Sequence, residues 1–169
     1  MTNYADSAIS KVRDFLWSNM VEDEILEPND YIADGFSKLL VPIIPTQQVP
    51  EFNNLIGNKT YIVYDFDISS YTDQWWICEE TALFSIISND FSKILEITNY
   101  MVDLFRRLDD VGQEINKSLP STTKFKFYYV SLESATSPSP YMEEGGRQIG
   151  QIGIKYEYSR LLNSNGRFQ

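Results

Sequence analysis

The sequence predicts an α+β domain: a four-stranded, mainly antiparallel sheet packed against two helices. Three observations carry this expectation. Two segments repeat apolar residues at three- and four-residue steps, as amphipathic helices do. Four segments alternate with period two or are dense in β-formers. Their order is helix, two strands, helix, two strands, which a helix layer on an antiparallel sheet satisfies. A chain of 169 residues with 43% hydrophobic content fits one such domain, here residues 1–160, with 161–169 as a polar, flexible tail.

The first helix spans about residues 4–20, where Ala8, Val12, Phe15, Leu16 and Met20 form one apolar stripe. The acidic run Glu22-Asp23-Glu24 follows it, and Pro28-Asn29-Asp30 makes a turn. Residues 39–45, LLVPIIP, are apolar, but Pro42 and Pro45 confine them to an edge strand or an extended arm. Over 59–68 the chain alternates. Thr60, Ile62, Tyr64 and Phe66 fall on one face, and Tyr61, Val63, Asp65 and Asp67 on the other. A second strand covers 75–87, with a bulge expected where the carboxylates of Glu79 and Glu80 interrupt the pattern.

Ser88, Asn89 or Asp90 can cap the second helix. Its stripe is Ile94, Ile97, Met101, Leu104, Phe105 and Leu108, and it runs on to Gly112 or the Pro120 region. Asp103, Arg106, Arg107 and Asp110 belong to its wet side. The third strand, 124–131, sets Phe125, Phe127 and Tyr129 opposite Lys126, Tyr128 and Val130. The fourth, about 149–158, puts Ile152, Ile154, Tyr156 and Tyr158 on one face. The loops 46–58 and 132–148 exceed ordinary connection lengths, and such loops are usually functional or disordered.

The chemistry the composition excludes is broad. The chain has no histidine, the commonest general base and metal ligand. Its single cysteine, Cys78, pairs with nothing in the same chain, implies a reducing compartment and reads as a small core residue. No phosphate-binding or dinucleotide glycine motif occurs; Gly145-Gly146 lies between two strands. Asp65 and Asp67 share a strand face that a divalent cation could use, although a solvated face is the plainer reading. Adjacent pairs such as Glu79-Glu80 and Asp109-Asp110 do not converge in regular structure. No catalytic, cofactor or metal site is therefore expected. A net charge of −10 disfavours sequence-independent binding to nucleic acid. No segment reaches the roughly 18 apolar residues of a membrane span, and the opening MTNYADSAISKVRDF is unlike a secretory signal.

The segments LLVPIIPTQQVPEFNN, YIVYDFD, FSKILEITNYMVDLFRRLDDVGQEIN and YMEEGGRQIGQIGIKYEY, in this order after an N-terminal helix, resemble the tail terminator (tail completion) proteins of tailed bacteriophages. The likeness covers about residues 4–158 and lies in layout, not in a catalytic signature. It implies a virion protein made in the host cytoplasm. Six copies would form a ring that caps the tail tube and joins it to the neck or head connector. Partners would be the tube protein, the connector proteins and, in a contractile tail, the sheath; DNA would pass through the lumen without specific binding, and no membrane is involved. Phe52, Leu55, Trp75, Tyr141, Met142 and Arg147 are the interface residues expected on that reading. Another neck or head–tail joining ring is the nearest alternative. A small protein- or carbohydrate-binding module built on Trp75 and Trp76 is a further one.

Overall fold

The structure is a computed structural model, and it describes residues 7–32, 39–48, 57–71, 77–107, 109–120, 125–140 and 146–160. The chain is a mixed α+β protein. Helix α1 (Ala8–Glu22) leads through a 3₁₀ turn (Pro28–Tyr31) to strand β1 (Ile43–Pro45). Strands β2 (Tyr61–Tyr71) and β3 (Ile77–Ser88) form a hairpin, and helices α2 (Phe91–Phe105) and α3 (Asp109–Ser118) follow. Strands β4 (Phe125–Ala135), β5 (Ser139–Pro140) and β6 (Gln148–Arg160) complete the chain.

The four long strands lie where the alternation puts them, but the sheet is larger than four strands. Its order is β1-β2-β3-β6-β4, with the two-residue β5 also paired to β6. The extra edge strand β1 runs parallel to β2, and each long strand is antiparallel to its neighbours among the long strands. Pro42 and Pro45 restrict β1 to the edge, as expected from their missing N–H groups. The last strand in sequence, β6, inserts between β3 and β4, so β4 becomes the opposite edge.

Three α-helices appear among the described residues, against two expected. Asp90 caps α2, its carboxylate accepting from the backbone N–H of Ser92 at 2.9 Å. The anticipated single long helix ends at Phe105, Arg106 takes the C-cap position, and a second helix begins at Asp109. The apolar stripe does run on through Val111 and Ile115, both fully buried. The two segments are centred on different strands, however: α2 lies mainly on β6, with lesser contact to β3 and β4, and α3 lies on β4. At Gly112 a Cβ would stand 3.3 Å from the Tyr129 Cα, so α3 lies almost directly on the β4 backbone. Leu108 falls outside the described residues.

All the helices contribute to one core on one face of the sheet. Val12, Leu16 and Met20 of α1 meet Ile94, Ile97, Met101 and Phe105 of α2 and the inward residues of β2, β3, β6 and β4. The Phe15 and Phe105 rings pack edge-on at 6.5 Å.

The bulge expected at Glu79-Glu80 is present opposite these residues but on the partner strand: Ile68 pairs with Glu80 and Ser70 with Glu79, so the extra residue belongs to β2. β3 pairs with β6 without interruption, and the register shift is on β2, between Ile68 and Ser70. β4 carries two register shifts, Phe127/Tyr129 and Leu132/Ser134. The first overturns the expected phase: Phe127 and Val130, not Phe127 and Tyr129, share the buried face. One extra residue on a bulged strand moves every later side chain to the other face.

Candidate functional site

Three polar arrangements among the described residues are candidates for a site: one lies in the core and two on the helix-free face of the sheet. The deepest is in the core. Glu80, on the helix-facing side of β3, is 3% exposed. Its two carboxyl oxygens accept one hydroxyl each, from Tyr156 at 2.7 Å and Tyr158 at 2.6 Å. β3–β6 pairing sets Glu80 opposite Tyr156 and Cys78 opposite Tyr158, which is why alternate tyrosines of one strand reach one side chain. Phe127 packs against both rings at about 6 Å. Burial, then the adjoining Glu80, pushes the Tyr156 phenol far above its usual range. No ion pair to Glu80 is found among the described residues. Cys78, a buried thiol, lies beside this group.

The second arrangement is on the helix-free face. Row by row across β2, β3 and β6, this face presents Asp65–Leu83–Gly153, then Asp67–Thr81–Lys155, then Glu79–Glu157. Asp65, Asp67 and Leu83 are exposed. Lys155 Nζ stands 3.0 Å from Glu79 Oε1, and Tyr129 of β4 donates its hydroxyl to Glu79 Oε2 at 3.0 Å. The Lys155 ammonium, more than any other contact, holds the Glu79 carboxyl below its usual range. Burial and the neighbouring carboxylate push the Tyr129 phenol up to about 12. Asp65 and Asp67 do share one face, as their spacing implies. Among the described residues no three acidic or cysteine side chains gather as a metal site.

The third arrangement is a clip at one end of the same face. Arg147, just before β6, donates to the Tyr61 hydroxyl (3.2 Å) and to Asn58 Oδ1 (3.1 Å). Its guanidinium carbon lies 5.8 Å from the Tyr61 ring centroid. It thereby crosses above the end of β3 and ties the start of β6 to the turn that opens β2. Beneath it Ile44, Tyr61, Val63 and Ile87 form a second, smaller apolar cluster on the helix-free face. The face of β2 that carries Asp65 and Asp67 is thus apolar at this end and acidic at the other.

Of the residues expected at an interface, Arg147 is placed in this intrachain clip. Phe52, Leu55, Trp75, Tyr141 and Met142 lie outside the described residues, as do Trp76 and the tail 161–169. Arg106 and Arg107 sit at the exposed end of α2, where Arg107 pairs loosely with Glu114 of α3 at 3.8 Å. The inward turn of Glu80 was not legible in the sequence, although Tyr156 and Tyr158 at two-residue spacing signalled the face that holds it. A groove of about 480 Å³ separates α1 from α3, lined by Lys11, Asp14, Phe15, Asn19, Glu114 and Leu119 among others. Its charges are mixed and its floor shallow.

Comparison with known protein families and with characterised proteins finds no match for this chain.

Proposed function

We propose that this chain is a structural virion protein, a tail terminator or completion subunit that assembles into a six-membered ring at the head-proximal end of a phage tail. The observation that carries the reading is the succession of elements. An N-terminal helix, a Pro-bounded edge segment, the β2–β3 hairpin, two helices in place of the one long helix expected, and the closing β4–β6 pair come in an order that supports this reading. The polar groups support a non-catalytic role: the most buried carboxyl group among the described residues is engaged by two tyrosines, and the outward acidic pair is solvated. A ring repeats one heterologous interface around an axis. The ring binds the tube protein below and the connector above, with the sheath as a further partner in a contractile tail. DNA passes its lumen without specific binding.

Mass in solution and position in the particle test this. A closed ring of six 19.6-kDa chains weighs about 118 kDa by native mass spectrometry. Electron microscopy of intact particles should place it between tube and neck. Shortening the connection 141–145, which spares the paired residues of β4 and β5, should leave the domain folded and impair ring closure or capping, seen as tails of irregular length. A monomer at all concentrations, absent from purified particles, would sink the reading.

A further inference from the structure

The two edges of the sheet are closed by different means. At β1 the prolines remove donors. At β4 the means is a side chain. Asn116 of α3 donates its amide to the Phe127 carbonyl at 2.8 Å, and its Oδ1 accepts the Phe127 N–H at 2.8 Å. Both outward-facing backbone groups of one residue are thus engaged by one carboxamide. In an antiparallel ladder a neighbouring residue does the same thing, exchanging both N–H···O bonds with a single partner. The Asn116 amide has one acceptor and a donor group on one planar unit, so it reproduces that pair without a strand.

The placement of the carboxamide is fixed from both sides. Val111 and Ile115, fully buried, anchor the inner face of α3. Gly112 removes the Cβ that would hold the helix away from the strand. Four residues after Gly112, one helical turn on, Asn116 meets the edge at Phe127.

We propose that Asn116 is an autoinhibitory contact: it occupies the β4 edge and prevents strand addition there by a second copy of this chain. The favoured intruder is the β4 strand of that copy in antiparallel, two-fold pairing. β4 carries opposite charges toward its two ends, Lys126 and Glu133, both exposed. Antiparallel pairing brings Lys126 of each copy toward Glu133 of the other, whereas parallel pairing sets like charges together. An 11-residue edge strand is otherwise a ready template for such pairing. The plug leaves other surfaces free to assemble, so this inference does not depend on the ring reading.

The test compares the full-length wild-type chain with Asn116→Ala and Asn116→Asp. The probe is a fluorescein-labelled peptide of residues 125–135, FKFYYVSLESA, read by anisotropy, alongside mass by sedimentation. Asn116→Ala should bind the peptide at least tenfold tighter than wild type and add a concentration-dependent species of twice the wild-type mass. Its Phe127 amide should exchange faster with solvent when dilute. Asn116→Asp keeps the acceptor for the Phe127 N–H and loses the donor to the carbonyl, and should fall between the two; it serves alone if the alanine variant does not fold. Adding Lys126→Glu should weaken the new association, because each strand would then be acidic at both ends. Folded Asn116 variants with wild-type mass and no gain in peptide binding would overturn the proposal. A gain in association that Lys126→Glu leaves unchanged would overturn the antiparallel assignment. Whether wild type is a ring or a monomer decides only the function proposed above.

Discussion

Glu80 is the residue whose environment differs most from that of its type. A carboxyl group seldom sits 3% exposed, and here its two oxygens depend on two phenols of one strand. Removing one donor leaves an oxygen buried and unpaired, whereas the ring of Phe fills the same space. Tyr156→Phe should therefore destabilise the chain by about 1–3 kcal/mol, the cost of an unsatisfied buried polar group. Chemical denaturation measures it directly: the midpoint should fall with the slope unchanged. Replacing Glu80 with Gln in the Tyr156→Phe background should produce less than the sum of the two single effects, because the residues share one contact. Additive losses would show that Tyr156 acts through packing alone.

Among the elements, α2 packs tightly on β6. Gly150 is the reason. A Cβ there would lie 2.8 Å from Ile94 Cγ2 and 3.2 Å from Thr98 Oγ1. Ile94 is fully buried, so its methyl group has little room to move. Gly150→Ala should cost about 1–3 kcal/mol by overpacking. A compensating Ile94→Leu, which has no β-branch and so lacks the Cγ2 methyl, should recover part of that loss in thermal unfolding. Stability unaffected by Gly150→Ala would mean that α2 rides further from the sheet than described. Thr98 Oγ1 is buried at this contact with no hydrogen-bond partner, a cost the close packing already carries.

At the scale of the whole molecule, tyrosine titration sets the alkaline limit of stability. Tyr31, Tyr100, Tyr129 and Tyr156 all have phenols raised above the usual value of about 10, chiefly by burial. A folded-state pKa above the unfolded one contributes stability that is complete below the unfolded value and is lost as pH rises through the folded value. The melting temperature should therefore hold through neutral pH and decline above about 10, with Tyr129 contributing its part between about 10 and 12. The acid side has the opposite sign. The lowered Glu79 carboxyl contributes stability above the usual carboxylate range, which is lost as pH falls through its depressed value. Tyr129→Phe should shift the alkaline decline upward; an unchanged profile would assign that decline to the more deeply buried phenols.

What the sequence by itself determined is what neighbours along the chain determine. The stripe Ala8, Val12, Phe15, Leu16 and Met20 is buried in α1 as the helical period requires, and Ile94, Ile97, Met101, Leu104 and Phe105 are buried in α2. Asp90 caps where a short acceptor precedes an apolar run, and the prolines hold β1 to an edge. The core face of β6 follows from period-two alternation alone. The tertiary structure decided everything that depends on a partner distant in sequence. The insertion of β6 between β3 and β4 leaves no mark on periodicity, because either neighbour satisfies the same alternation. The break after Phe105 is invisible in a stripe that continues to Ile115; it goes with a shift of the packing from β6, beneath α2, to β4, beneath α3. The bulge at Tyr128 reverses a phase that looked regular, and Glu80 turns inward because two phenols await it on β6. Asn116 reads as an ordinary helix-surface residue until β4 comes to lie beside it. Local periodicity encodes which face of an element is apolar, but the hydrogen-bond partners of buried polar groups and of strand edges come from other elements, and only folding brings them within 3 Å.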